Sequence, residues 1–284
     1  MEKTYIKARA KINLSLEVLE KRQDGYHNIK SVFQKISLYD EIYIEKIKEN
    51  KIIIETNINE IKNEENIIYK AYEKLKSKYN QITGIKVKLN KRIPIQAGMA
   101  GGSTDCASFL ISMNKLFKLE MSQSKIEEIG KELGADVIPC LYDGTTLVEG
   151  IGEKVTKLET KVKYYILVIK PKKSCNTKEM YKRLDEIGYK NQENKTEKII
   201  EALQENNIEK LANNIYNIFE IAIDNQNILN EIKNKLREEG ALGTLLTGSG
   251  ACIYGIYEDK RKIRNAYKEL KDKYETYICV PYSK

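Results

Sequence analysis

Alternation of apolar and polar positions opens the chain. Ile12, Leu14, Leu16 and Val18 fall on one face of a two-residue period and Lys11, Asn13, Ser15 and Glu17 on the other, with Arg9 extending the polar face. This period predicts a strand. Asp24-Gly25 is a turn signal, and strand-like runs follow at Phe33–Leu38, Glu41–Glu45 and Lys51–Glu55. The period then lengthens: Ile68, Ala71, Tyr72 and Leu75 predict a helix over Asn66–Tyr79. Ile85, Val87 and Leu89 return to strand spacing. A run of small residues follows, and Asp105–Phe117 predicts a helix with Ala107, Leu110 and Met113 inward. Ser124 with Glu127 forms a capping box for the next helix, which stops before Gly134.

Glycine-dense residues 144–152 predict strands joined by tight turns, and the lysine-rich, weakly patterned stretch Glu153–Lys163 is a candidate boundary. Beyond it, Tyr164–Ile169 reads as a buried strand, and helical spacing covers Lys178–Ile187, Lys198–Ala212 and Ile228–Glu238. Strands at Ala251–Tyr257 and Tyr277–Val280 flank a charged helix from Asp259 to Tyr274. Gly188–Glu197 is the expected mobile loop, its glycine suited to stopping a helix. Strands and helices mix without strict alternation, which predicts an α+β fold in two parts, 1–158 and 159–284.

Composition narrows the setting. No apolar run approaches a membrane span, and the N-terminus lacks the apolar core of a secretion signal. Five scattered cysteines without a CxxC pair argue against a disulfide framework and a structural zinc site, so a reducing cytoplasm is expected. The net charge of +8 comes from 49 basic residues interleaved with 41 acidic ones. That balance suits a solvated surface with a mild pull on an anionic substrate, and argues weakly for nucleic acid.

The chemistry concentrates in the small-residue run Pro94-Ile95-Gln96-Ala97-Gly98-Met99-Ala100-Gly101-Gly102-Ser103-Thr104. Small side chains leave backbone N–H groups uncovered, and a helix start adds unpaired amides and the positive end of a dipole. Together these cradle an anion, most often phosphate, although a plain turn is an equally ordinary use of such a run. Neither GxxxxGK[ST] nor GxGxxG occurs, and no HRD or DFG triplet marks a protein kinase.

The loop with Pro94 at its head resembles the ATP-binding loop of the GHMP kinases. Three more blocks keep that family's order: Ala10-Lys11-Ile12-Asn13-Leu14-Ser15-Leu16, Gly134-Ala135-Asp136-Val137-Ile138-Pro139 and Leu246-Thr247-Gly248-Ser249-Gly250-Ala251. They resemble the branch that phosphorylates a cytidine-diphosphate-linked methylerythritol, with Ile138 standing where that branch often has proline. The resemblance implies a ribosomal-S5-like first half and a ferredoxin-like second half, with ATP and Mg2+ as cofactors. It also implies a small-molecule substrate, with neither membrane nor nucleic acid as partner, and a monomer or homodimer.

Residue by residue, the resemblance implies that Asp136 accepts the proton of the substrate hydroxyl and that Lys11 stabilises developing charge. Otherwise they read as a helix cap and a solvated lysine. Tyr26, His27 and Tyr181 would hold the cytosine by stacking and hydrogen bonds, Thr177 and Asn13 would add polar contacts, and Asn66 would lie near the adenine. Outside the resemblance, Asn66 reads as a helix cap and Tyr181 as a surface aromatic. Gln96, Met99 and Ala100 depart from the family, which often has a small residue, Leu and Gly there. Another GHMP kinase, of homoserine or mevalonate type, is the nearest alternative; a non-enzymatic RNA-binding protein is the other.

Overall fold

The computed structural model describes residues 2–58, 65–224 and 226–283. They form two compact units, and neither is a single stretch of chain. The first comprises Met1–Ala10, Leu38–Ile95 and Ala100–Tyr142; the second comprises Lys11–Ser37, Gln96–Met99 and Asp143–Lys284.

The first unit takes the opening residues of β1 (Lys3–Lys21) and the closing residues of β2 (His27–Lys46). β2 is one long strand, so the two runs read from sequence are parts of a single element. β4 (Ile85–Asn90) pairs antiparallel with β2, Glu41 opposite Asn90, and β3 (Ile52–Thr56) joins β4 in parallel. Among the described residues four α-helices complete the unit: α1 (Ile67–Lys78), α2 (Gly101–Phe117), α3 (Gln123–Leu133) and α4 (Val137–Cys140). Their apolar stripes meet the alternate residues of the strands. Tyr72, Leu75, Phe109 and Met113 are buried with Ile42, Ile44, Val87 and Leu89 in one core. Each such side chain contributes roughly 1.5–3 kcal/mol by leaving water.

Two starts differ from expectation. α2 begins at Gly101, four residues before the expected Asp105, because the glycines enter the helix instead of preceding it. α3 is capped by Ser122, whose Oγ accepts from the Lys125 backbone N at 3.3 Å, and not by Ser124. The helix starts two residues sooner than the expected box allows, and Glu127 instead accepts from the Tyr142 hydroxyl.

The second unit holds two sheets. β5 (Thr145–Gly150) pairs antiparallel with β2 and with β6 (Lys154–Leu158), while β8 (Tyr216–Asn217) runs parallel to β1 at Ser15–Leu16. The other sheet is antiparallel, in the order β11 (Glu275–Cys279), β7 (Tyr165–Lys170), β10 (Ile253–Tyr257), β9 (Gly243–Leu246). α8 (Gln226–Glu238) and α9 (Lys260–Leu270) are amphipathic. They bury Leu229, Ile232, Leu236, Ile263, Ala266 and Leu270 with Leu167, Ile169, Leu246 and Tyr257. α5 (Thr177–Ile187) ends at Gly188, which has a φ of 67°.

The expected helix Lys198–Ala212 is two helices, α6 (Lys195–Gln204) and α7 (Ile208–Asn214). Asn206 takes a φ of 54°, and Asn207 Oδ1 caps α7 by accepting from Lys210 N at 2.9 Å. The stretch expected to be a mobile loop ahead of α6 is tied to β1. Tyr189 Oη donates to Leu19 O (2.9 Å) and Asn191 Nδ2 to Val18 O (2.7 Å).

Candidate active site

The small-residue loop is shared: Pro94, Ile95 and Ala100–Thr104 belong to the first unit and Gln96–Met99 to the second. Left-handed backbone occurs at Gln96 (φ 50°), Gly98 (φ 72°) and Ala100 (φ 57°). Gln96 is exposed, so its side chain lies outward at the bend. In the first unit Ala100 precedes α2 with no side-chain cap, and Thr104 N donates to Ala100 O at 2.9 Å. The amides of Gly101, Gly102 and Ser103 therefore sit in the first turn, without intrahelical acceptors. A Cβ on Gly102 would meet nothing within 4 Å, so nothing crowds the chain on that side of this glycine. A helix start with uncovered amides is a geometry suited to an anion. Thr104 is buried and its Oγ1 donates to Arg9 O at 2.7 Å, which orients its hydroxyl inward.

Asp136 stands at the N-cap position of α4, yet its side chain makes no cap bond. Among the described residues its half-buried carboxylate has no hydrogen-bond or ion-pair partner, which leaves it able to accept a proton. Asn66 is a helix cap: its Oδ1 accepts from Ile68 N at 2.9 Å.

In the second unit the polar face of β1 is buried. Lys11 is 3% exposed, which removes the reading of a solvated lysine. Its Nζ donates to Asn13 Oδ1 (2.7 Å) and Gly98 O (3.0 Å), and lies 4.5 Å from the centre of the Phe33 ring. Asn13 Oδ1 also accepts from Gly248 N (3.0 Å), and Asn13 Nδ2 donates to Ser31 Oγ (2.9 Å). Thr247 Oγ1 donates towards Gly98 O at 3.3 Å. Glycine is required at two points. A Cβ on Gly98 would lie 1.9 Å from Thr247 O, and one on Gly248 would lie 2.6 Å from Gly98 O. Two blocks distant in sequence thus meet backbone to backbone around the Lys11 ammonium.

A second cluster in the same unit is aromatic. The rings of His27 and Tyr181 stack at 5.2 Å and 18°, and Tyr181 meets Phe219 edge-on at 4.9 Å. His27 Nε2 lies 2.7 Å from Asp185 Oδ1, and Lys21 Nζ donates to Asp185 Oδ2 at 2.5 Å. Hydrogen bonding from Lys21, then from His27, holds the Asp185 carboxyl below its ordinary range. Tyr26 is 58% exposed. Thr177 Oγ1 shares a 2.8 Å hydrogen bond with Ser249 Oγ.

Comparison with known proteins fits this picture. Residues 66–144 match the GHMP kinases N terminal domain and residues 199–276 the GHMP kinases C terminal domain. A 4-diphosphocytidyl-2-C-methyl-D-erythritol kinase of Caldicellulosiruptor saccharolyticus is 45% identical over 268 residues, 94% of this chain and 92% of that one. One from Clostridium botulinum is 42% identical over 271 residues, covering 95% and 96%. The chain belongs to the 4-diphosphocytidyl-2-C-methyl-D-erythritol kinase family. A crystal structure of 4-(cytidine 5'-diphospho)-2C-methyl-D-erythritol kinase superposes with a TM-score of 0.84 at 26% identity, covering 99% of this chain and all of that one. A homoserine kinase from Cytophaga hutchinsonii, 18% identical and covering 99% and 95%, shares the GHMP kinase fold at a TM-score of 0.75. The two-part α+β kinase fold expected from the sequence is the fold found.

For a member of this kinase family, the sequence reading missed several polar residues around the expected ones. Ser31 and Thr247 hold Asn13 and the Gly98 carbonyl, and Asp185 holds His27. Thr247 was legible in its motif; Ser31 and Asp185 carry no local signal. Among the described residues no group of three or more His, Cys, Asp or Glu side chains is arranged to hold a metal ion, and no helix is long and apolar enough to cross a membrane.

Proposed function

We infer that this chain transfers the γ-phosphoryl group of ATP to the 2-hydroxyl of 4-diphosphocytidyl-2-C-methyl-D-erythritol, a step in isoprenoid precursor synthesis. One observation carries the reading: identity of 40–45%, over nearly the whole chain, to several enzymes of that name. The family matches at 66–144 and 199–276 are consistent with sequence halves 1–158 and 159–284, while each compact unit draws on non-consecutive stretches of the chain. The enzyme acts in the cytoplasm on a small molecule, as a monomer or homodimer, without nucleic acid.

In this reading the segment Pro94–Thr104 holds the nucleotide, its phosphates against the first-turn amides of Gly101–Ser103, and Asn66 lies by the adenine. Asp136 accepts the proton of the attacking hydroxyl; its free, half-buried carboxylate supports that role. Lys11 neutralises charge on the phosphoryl oxygens, and its burial and fixed hydrogen bonds support a preorganised cation. Phosphoryl transfer needs little more than such positioning and charge. Mg2+, when bound with the nucleotide, would neutralise phosphate charge, and the Ser103 hydroxyl is an oxygen donor of the kind it takes. Tyr26, His27 and Tyr181 take the cytosine, with Thr177 and Asn13 on the polar parts of the substrate. The aromatic cluster favours a substrate with a base over homoserine or mevalonate. Cytidine diphosphate offered as an inhibitor tests this. Competition against the acceptor and not against ATP is expected, while no inhibition contradicts the base site.

A further inference from the structure

Lys91, just beyond β4, is 8% exposed, and its Nζ lies between two buried carboxylates: Asp40 Oδ2 at 2.5 Å and Asp105 Oδ2 at 2.6 Å. Asp40, on β2, has no exposed surface, and its other oxygen accepts from Arg92 N (2.5 Å) and Ile93 N (2.8 Å). Asp105 sits in α2 immediately after the Gly101–Thr104 segment, and is 3% exposed. One ammonium therefore links the chain leaving β4 to the start of α2. The approach is close. A Cβ on Gly101 would stand 3.4 Å from Lys91 Nζ and 3.2 Å from Ile93 Cγ2. Asp105 Oδ1 is buried and has no hydrogen-bond partner.

A trio of this kind is a poor device for stability alone. Desolvating its charges offsets most of their attraction, and apolar side chains of similar volume hold a fold as well. What it supplies is a directional tie between two backbone segments. We propose that Lys91, Asp40 and Asp105 are positioning residues that hold the Gly101–Ser103 amides in the orientation that takes the nucleotide phosphates, without touching the phosphates themselves. The proposal rests on reading Ala100–Thr104 as the phosphate-holding segment. Charge supports it. Burial, and then the nearby Asp40 carboxylate, push the Asp105 carboxyl well above its ordinary range against the pull of Lys91. A carboxyl whose neutral form is favoured places less negative charge behind the Gly101–Ser103 amides.

The test uses the full chain and a non-hydrolysable ATP analogue. Amide hydrogen exchange is read over residues 100–105, with and without the analogue, in the wild type and in Lys91→Met, Asp105→Ala and Asp105→Asn. KM is measured separately for ATP and for the acceptor. The analogue is expected to slow exchange at these amides in the wild type. In Lys91→Met and Asp105→Ala that protection is lost and KM for ATP rises about tenfold or more, with KM for the acceptor within about twofold of wild type. Asp105→Asn keeps an oxygen for Lys91 and recovers most of the loss. Folded variants with unchanged exchange and unchanged KM for ATP overturn the proposal, as do equal rises in both KM values. If Lys91→Met does not fold, the Asp105 pair decides. Absence of protection in the wild type overturns the phosphate reading of the segment, and this proposal with it.

Discussion

At the scale of single residues, chemistry rests on groups whose surroundings are already arranged. Asp136 occupies a cap position but does not cap, and its carboxylate is unspent among the described residues. Asp136→Asn is expected to lower kcat about 10²–10⁴-fold, the usual worth of a general base, while ATP still binds; a single-turnover assay beside a binding titration reads both. Gly98→Ala puts a Cβ 1.9 Å from the Thr247 carbonyl, where neither backbone can give way. Loss of soluble protein, or of several kcal/mol in urea unfolding, is the expected result. Ala100 makes the opposite case. Its left-handed φ of 57° costs an L-residue about 1 kcal/mol, so Ala100→Gly is expected to leave stability unchanged or raise it slightly.

At the scale of elements, the strands and helices with strong periods were legible. The stripe Ile68, Ala71, Tyr72, Leu75 lies buried in α1 as its spacing predicts. The polar face of β1 was not legible as buried, because alternation reports one apolar face and says nothing of what covers the other. Thr196 in α6 supplies the missing partner: its N and Oγ1 donate to Glu17 Oε1 at 3.0 and 2.7 Å. The break between α6 and α7 was hidden for a related reason. Apolar spacing continues across it, and only Asn206 and Asn207 carry the stop and the cap. Asn207→Ala is expected to cost about 1 kcal/mol in thermal unfolding. The start of α2 carries a pH signature. A carboxyl whose folded pKa is raised stabilises the fold below its unfolded value, and that contribution is lost as pH rises through the folded value. The stability difference between Asp105→Asn and wild type is therefore expected to shift towards the asparagine as pH climbs above about 4, read by urea melts at several pH values.

At the scale of the whole molecule, four short blocks in fixed order carry the family resemblance, and each has a distinct local geometry. Lys11 and Asn13 meet Gly98 and the 247–248 pair; the Gly101–Ser103 amides lie in the first turn of α2 without intrahelical acceptors; Asp136 makes no cap bond. The contacts of Lys11 and Asn13 are not encoded by local spacing, since they join residues far apart in the chain. The family resemblance supplied what periodicity leaves out. The choice of substrate is proposed to lie in the aromatic cluster of His27 and Tyr181 and in the exposed Tyr26, since an acceptor without a base has no use for stacking rings. The most direct measurement is ATP turnover by the purified chain, in the presence of Mg2+, against 4-diphosphocytidyl-2-C-methyl-D-erythritol, homoserine and mevalonate in parallel. Phosphorylation of the cytidyl compound alone is the predicted result; turnover of homoserine or mevalonate without it would contradict the account.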